Sequence, residues 1–218
     1  MLIKESQWIG KNMSAVDSSS LFPLLNLGSS TKAYRKDQQP WNEEYIFSPF
    51  RGKNQKIINV DFKNEEGIDI VGDLTDSHFL KKLSGIKFNS ILCTNLLEHL
   101  EKKEALCNWI TNTIPKGGYL FISCPNKIMP HGNPVDTMFR PNIEELQSLF
   151  PTMKKVQTEI ITDYTYATYL SKNRFGLLKY AIKLLLPFYQ PKNWITYVRL
   201  IPWIFKKFRV TCLVLKKT

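Results

Sequence analysis

The sequence predicts an α/β fold: a doubly wound, mostly parallel sheet with a final antiparallel edge strand. Three observations carry that expectation. Five short apolar runs between Leu21 and Cys124 alternate with helix-forming stretches. The runs lack strict polar/apolar alternation, as strands buried on both faces do. Two more strand-like runs close the chain, with a long interruption between them.

Taken in order, the first twenty residues include SAVDSSS, are polar and aperiodic, and are expected to be flexible. The five strands are LFPLLNL (21–27), KIINV (56–60), GIDIV (67–71), FNSILC (88–93) and GYLFISC (118–124). Residues 35–55 carry Pro40 and Pro49 where a crossover helix would stand, so a short helix or an irregular loop is expected there. A helix is predicted over 96–114, with Leu96, Leu97, Leu100, Ala105, Trp109 and Ile110 on its apolar side, ended by Pro115 and Gly117-Gly118. A shorter one over 141–150 opens on proline with acids in its first turn. KKVQTEIITDY (154–164) and FRVTCLVLKK (208–217) then form an antiparallel pair. The expected organisation is a flexible 1–20, a cofactor-binding unit over 21–163, an insertion over 164–207 and a last strand over 208–218.

Composition narrows the classes. At 218 residues and 43% hydrophobic content the chain can build one ordinary core. No apolar run approaches the ~18 residues of a spanning helix, and no signal-like segment opens the chain, so a cytoplasmic protein is expected. Cys93, Cys107, Cys124 and Cys212 are widely spaced in apolar segments, which reads as buried free thiols and against a zinc site. The net charge of +11 is localised: from Tyr164 onward there are eleven Lys and Arg residues and no acid, while residues 1–163 hold 19 of each sign. That asymmetry points to a polyanionic partner for the last quarter.

In doubly wound sheets ligands bind at the carboxyl ends of the strands. The residues there are Gly28-Ser29-Ser30-Thr31, then Asp61, then Asp73 and Leu74, then Thr94-Asn95 with Glu98-His99, and finally Pro125-Asn126. Asp61 suits a ribose diol, since a carboxylate can accept both hydroxyl hydrogen bonds. Asp73 suits an exocyclic adenine amine. The alternative for each is an ordinary turn or helix-capping acid.

With NLGSST (26–31), NVD (59–61), GDL (72–74), FNSILCTNLLEHL (88–100) and IPKGGYLFISCPN (114–126), the chain resembles the class I S-adenosylmethionine-dependent methyltransferases, in particular small bacterial ones acting on sugars, lipids and other small acceptors. HGNPVDTMFRPNIEEL (131–146) is similar to the segment before the post-sheet helix in one branch of them. The resemblance covers roughly residues 20–160. It implies S-adenosyl-L-methionine as cofactor, held by Asn26, Gly28, Ser30, Asp61, Asp73, Leu74 and Asn95. It also implies transfer of a methyl group, with His99, His131 and Asp136 as candidate catalytic residues and no metal. His99 reads equally as a structural residue at a helix start. Arg140 is a candidate for binding an acceptor carboxylate or phosphate, or an ion-pair partner of Asp136 or Glu144.

The chain departs from the family at its first loop. Asn26 stands where an acid is usual, and Ser30 and Lys32 where glycines are usual. The cofactor has no phosphate, so the loop need not wrap a pyrophosphate. A serine at position 30 is then acceptable unless the backbone there needs a positive φ. A non-catalytic protein on the same fold is the alternative to an enzyme.

The insertion adds a second theme. RFGLLKYAIKLLL (174–186) is basic and amphipathic, with Lys172, Lys179 and Lys183 on one face, and WITYVRLIPWIFKKF adds aromatics around Pro202. Residues 172–207 suit an anionic membrane surface. Packing against the sheet or a second subunit, or RNA binding in an RNA methyltransferase, are the other readings. The expected function is O-methylation of a glycan, lipid-linked sugar or other small acceptor near the cytoplasmic membrane face.

Overall fold

A computed structural model of the chain describes residues 1–51, 55–130, 135–171, 174–188 and 191–218, the side chains of 191–193 excepted. Seven strands form one sheet: β1 (Leu24–Leu27), β2 (Ile57–Asp61), β3 (Ile70–Val71), β4 (Ser90–Thr94), β5 (Tyr119–Lys127), β6 (Met153–Thr165) and β7 (Lys207–Lys217). Their order is β3-β2-β1-β4-β5-β7-β6. The first five pair in parallel, and β7 runs antiparallel between β5 and β6. All seven lie where the apolar runs place them. The order reverses between β1 and β4, the place where such sheets open a crevice.

Residue parity along the strands divides the core. Leu25, Leu27, Ile58, Val60, Ile91 and Cys93 bury against α4 (Ser77–Leu83) and α5 (Lys103–Thr113). Leu24, Leu92, Phe121, Cys212 and Val214 bury on the other side, against Trp8, Ile9 and Met13. Both faces are covered, which is why these strands read as continuous apolar runs. Each fully buried Leu, Ile or Phe contributes roughly 1.5–3 kcal/mol.

Two expectations are corrected. Residues 1–20 are helical: α1 (Ile3–Ser14) and the single turn α2 (Ser18–Leu21). Trp8, Ile9 and Met13 supply α1's buried side, and Glu5 Oε2 accepts the Leu2 amide at 2.8 Å, capping its first turn. The helix expected over 96–114 begins only at Lys103. Leu97–His99 is a 3₁₀ turn. The carbonyl of Glu98, which a continuous helix would offer to the Lys102 amide, instead accepts the amide (2.8 Å) and hydroxyl (2.9 Å) of Thr137.

Between β1 and β2, tight helical turns fill 34–50, with α3 (Pro40–Asn42) among them. Helix α6 (Ile143–Ser148) carries a reciprocal cap: Asn142 Oδ1 accepts the Glu145 amide, and Glu145 Oε2 accepts the Asn142 amide, both at 2.8 Å. The insertion folds as α7 (Tyr166–Ser171), α8 (Gly176–Leu185) and α9 (Pro191–Phe205), with Pro202 inside α9.

Candidate active site

A cleft of about 690 Å³ opens over the carboxyl ends of β1, β2 and β4. Asn26, Gly28, Ser30, Asp61, Asp73, Leu74 and Asn95 all line it, as does His99. Residues far apart in the chain thus meet where the sheet changes direction.

The loop after β1 is built without the usual glycines yet takes a glycine-like path. Gly28 has φ +65° and Ser30 φ +55°. The positive φ is what favours glycine at position 28; an added Cβ would lie 2.8 Å from Leu96 Cδ1, a side-chain end that can shift. Ser30 does adopt the left-handed backbone, at an expected cost of roughly 1–2 kcal/mol. Two side chains hold it there. The Ser30 amide donates to Asp61 Oδ2 at 2.7 Å, and Arg35 Nη1 donates to the carbonyls of Ser29 (2.9 Å) and Ser30 (2.5 Å). Arg35 Nη2 reaches the Gly67 carbonyl at 2.7 Å, tying this loop to the one before β3. Burial lowers the Arg35 pKa, and Glu43, Asp69 and Asp61 oppose that shift.

Asp61 is buried, and its other oxygen, Oδ1, accepts the Lys63 amide at 3.2 Å. Two acceptor oxygens with lone pairs to spare therefore stand at the floor of the cleft. Phe62 follows with 61% of its surface exposed beside them. Asp73 Oδ1 accepts from both the amide and the hydroxyl of Thr75 at 2.8 Å, which shapes the turn after β3.

Asn26 is buried, and its Nδ2 donates to Asn59 Oδ1 at 3.0 Å. Asn59 in turn donates from its amide (2.7 Å) and from Nδ2 (3.2 Å) to Asp69 Oδ2. The residue where the family carries an acid thus offers the cleft only a neutral amide. Asn95, which does line the cleft, is tied to a carboxylate behind it: Glu5 of α1 is fully buried, and its Oε1 accepts from Asn95 Nδ2 (2.7 Å) and Ser123 Oγ (2.6 Å). Asn95 has φ +48°, a conformation Asn tolerates better than most residues.

His99 is held by the strap 135–137. Its Nδ1 lies 2.5 Å from the Val135 carbonyl, which can only accept, so Nδ1 carries a proton. Its Nε2 is 3.9 Å from Glu98 Oε1. Glu98 is fully buried, and burial pushes its pKa up to about 8, with the nearby Glu5 charge adding to the rise and Arg140 opposing it. Cys124 Sγ contacts its Oε2 at 3.7 Å, while Oε1 has no hydrogen-bond partner among the described residues.

Asp136 and Arg140 are brought to each other and not into the cleft. Arg140 Nη1 and Nη2 pair with Asp136 Oδ1 (3.0 Å) and Oδ2 (2.5 Å), and Oδ1 also accepts the Met138 amide at 2.9 Å. Of the alternatives open for Arg140, the structure adopts the ion pair, which makes Asp136 an anchor of the strap. His131 lies outside the described residues. Sequence reasoning missed Glu5, Arg35 and Phe62. Only Phe62 left a visible signal, an aromatic directly after a strand-end acid in NVDF.

No protein-family model and no curated protein matches the chain. Solved structures do. Coclaurine N-methyltransferase bound to N-methylheliamine and S-adenosylhomocysteine aligns over 96% of this chain and 70% of its own, at 15% identity and TM-score 0.52. The MccD protein aligns over 98% and 96%, at 14% identity and TM-score 0.54. A SAM-dependent methyltransferase from Archaeoglobus fulgidus aligns over 97% and 94%, at 13% identity and TM-score 0.51. With the strand order β3-β2-β1-β4-β5-β7-β6 and an antiparallel β7, the chain has the fold of the class I S-adenosylmethionine-dependent methyltransferases.

Proposed function

We propose that the chain binds S-adenosyl-L-methionine in this cleft and transfers its methyl group to a small acceptor. The observation that carries the reading is the convergence of Asp61, Asp73 and Asn95 on one cleft with the left-handed turn at Ser30. The residues fit the cofactor. Asp61 offers acceptors to a ribose diol, the exposed Phe62 ring a surface for the adenine, and Asp73 an acceptor for its amine. The cleft volume lies within the usual range for small-molecule sites. When bound, the cofactor supplies an electrophilic methyl on a sulfonium, with a neutral thioether as leaving group.

The protein's part is then alignment, exclusion of water and removal of one proton. Val135 fixes the proton of His99 on Nδ1, leaving Nε2 as the nitrogen able to take a proton from an acceptor hydroxyl. Glu98 lies 3.9 Å from Nε2, and with its carboxyl protonated up to about pH 8 it meets His99 as a neutral group. The acceptor assigned to the site is a hydroxyl-bearing glycan, lipid-linked sugar or comparable small molecule at the cytoplasmic face of a membrane. The end-piece charge excess and the likeness in LLEHL and HGNPVD support that assignment.

Titration calorimetry with S-adenosylhomocysteine and with S-adenosylmethionine tests the reading, followed by transfer of labelled methyl to candidate acceptors. Saturable binding of both is expected; no binding at millimolar ligand refutes it. A second reading has one specific support: the Asn26 amide is committed to Asn59 and no acid replaces it on β1. A non-catalytic protein that retains the fold would bind S-adenosylhomocysteine yet transfer no methyl group to any acceptor.

A further inference from the structure

We propose that the exposed apolar face of α8, continued by Phe188, docks on an anionic lipid bilayer and turns the rim of the cleft toward it. The docking stands on its own observations; the corollary that the acceptor is drawn from the bilayer rests on the methyltransferase reading.

Strand register decides where the insertion sits. Thr165 at the end of β6 pairs with Lys207 at the start of β7, and Lys127 at the end of β5 pairs with Arg209. Helices α7–α9 therefore leave the sheet at the carboxyl end of β5, the edge on which Gly28, Asp61 and Asn95 lie.

Within the insertion, aromatic contacts consume one side of the helices. Tyr180 is buried, its ring edge-on to Tyr166 (5.7 Å) and Tyr197 (6.2 Å), and its hydroxyl donates to the Tyr197 carbonyl at 2.6 Å. Trp194 Nε1 donates to the Leu184 carbonyl at 2.8 Å. Outward lie Leu178 (56% exposed), Ile182 (46%) and Leu185 (78%), at offsets of 3, 7 and 10 from Phe175, with Leu177 and Leu186 also exposed to either side and Phe188 beyond them (96%). Arg174, Lys179 and Lys183 stand exposed on the same helix and its approach, and no acid occurs from Tyr164 to the last residue.

The combination selects the occupant. A second copy would cover the apolar stripe but would set an acid-free basic surface against its own like. A nucleic acid would answer the charge and leave a Leu/Ile/Phe stripe in water. An anionic bilayer answers both, through apolar side chains at the acyl boundary and cations among the headgroups. Among the described residues no helix is long and apolar enough to cross a membrane, and the geometry proposed is that of a helix lying in the interface.

The test is flotation of the full chain with phosphatidylcholine vesicles and with vesicles that also contain phosphatidylglycerol, at low and high ionic strength. Flotation is expected with the anionic vesicles and a loss of at least tenfold in Leu178→Asp/Ile182→Asp. Lys179→Glu/Lys183→Glu should also lose binding, and its remaining binding should depend less on salt. Brominated lipids should quench tryptophan fluorescence in the unmodified chain, a readout that needs no variant to fold. No flotation and no quenching, stripe-dependent dimers that form in place of vesicle binding, or RNA retardation without vesicle binding would each overturn the proposal. S-adenosylhomocysteine titration of the same samples separates the two readings. Ligand binding without flotation removes only the docking surface, and flotation without ligand binding removes only the methyltransferase assignment.

Discussion

The amide of Ser30 donates to Asp61 Oδ2 at 2.7 Å, so the strand-end acid of β2 holds the left-handed turn that follows β1. One carboxylate thereby has two tasks, keeping a strained loop in place and presenting its remaining acceptor capacity to the cleft. Asp61→Ala should lower affinity for S-adenosylhomocysteine by about 10- to 100-fold, the scale of lost charge-assisted hydrogen bonds of about 1.5–3 kcal/mol. Calorimetry measures it, and unchanged affinity would place the ribose elsewhere.

Ser30 itself offers a graded series. Glycine removes the left-handed strain, whereas valine adds a branched Cβ in a region it rarely enters. Urea denaturation should rank the variants Ser30→Gly above the parent and Ser30→Val below it. The valine deficit should be about 2 kcal/mol. Equal stability of all three would mean the loop relaxes out of the left-handed region.

Arg35 serves three carbonyls from one guanidinium, a fork that an ammonium cannot reproduce. Arg35→Lys and Arg35→Met should therefore both destabilise, by roughly 2–4 kcal/mol, and both should weaken cofactor binding. Thermal denaturation with and without S-adenosylhomocysteine reads both effects. Rescue by lysine would show that charge alone is what matters at this position.

Glu98 imposes a pH dependence whose sign follows from its raised pKa. The folded chain keeps the proton up to about pH 8, while an unfolded glutamate releases it near pH 4.5. Between those values the unfolded state binds fewer protons, so this residue's contribution to stability falls as pH rises through the window and levels off above it. Glu98→Gln should abolish that component. Melting temperatures from pH 5 to 9 should decline less in the variant, and parallel curves would mean Glu98 is ionised in the fold.

Much of the fold was legible because burial on both faces writes a simple pattern. LLNL, IINV, SILC and the runs near 118 and 208 are apolar at most successive positions, as strands covered by helices on both faces are. The strand-end residues were legible for a related reason, since a parallel sheet fixes which end of each strand faces the cleft. The N-terminal helix was not legible. Glu5 looks like a solvated acid until Asn95 and Ser123, 90 and 118 positions later, donate to it. The break at 97–102 was hidden likewise, because the apolar spacing of Leu96, Leu97 and Leu100 suits a helix. Only Thr137, from a distant strap, takes the carbonyl a helix would have used.

The sequence by itself determined the strand set, the doubly wound topology and the list of strand-end candidates, because these follow from local periodicity and from the covering of apolar faces. Tertiary structure alone decided where the candidates stand and what each one touches. It paired Asp136 with Arg140 away from the cleft, set Asp61 and Arg35 on either side of the Ser30 turn, and buried Glu98 behind His99. Those outcomes depend on hydrogen bonds, ion pairs and desolvation between residues that periodicity does not relate, so they exist only once the chain has closed on itself.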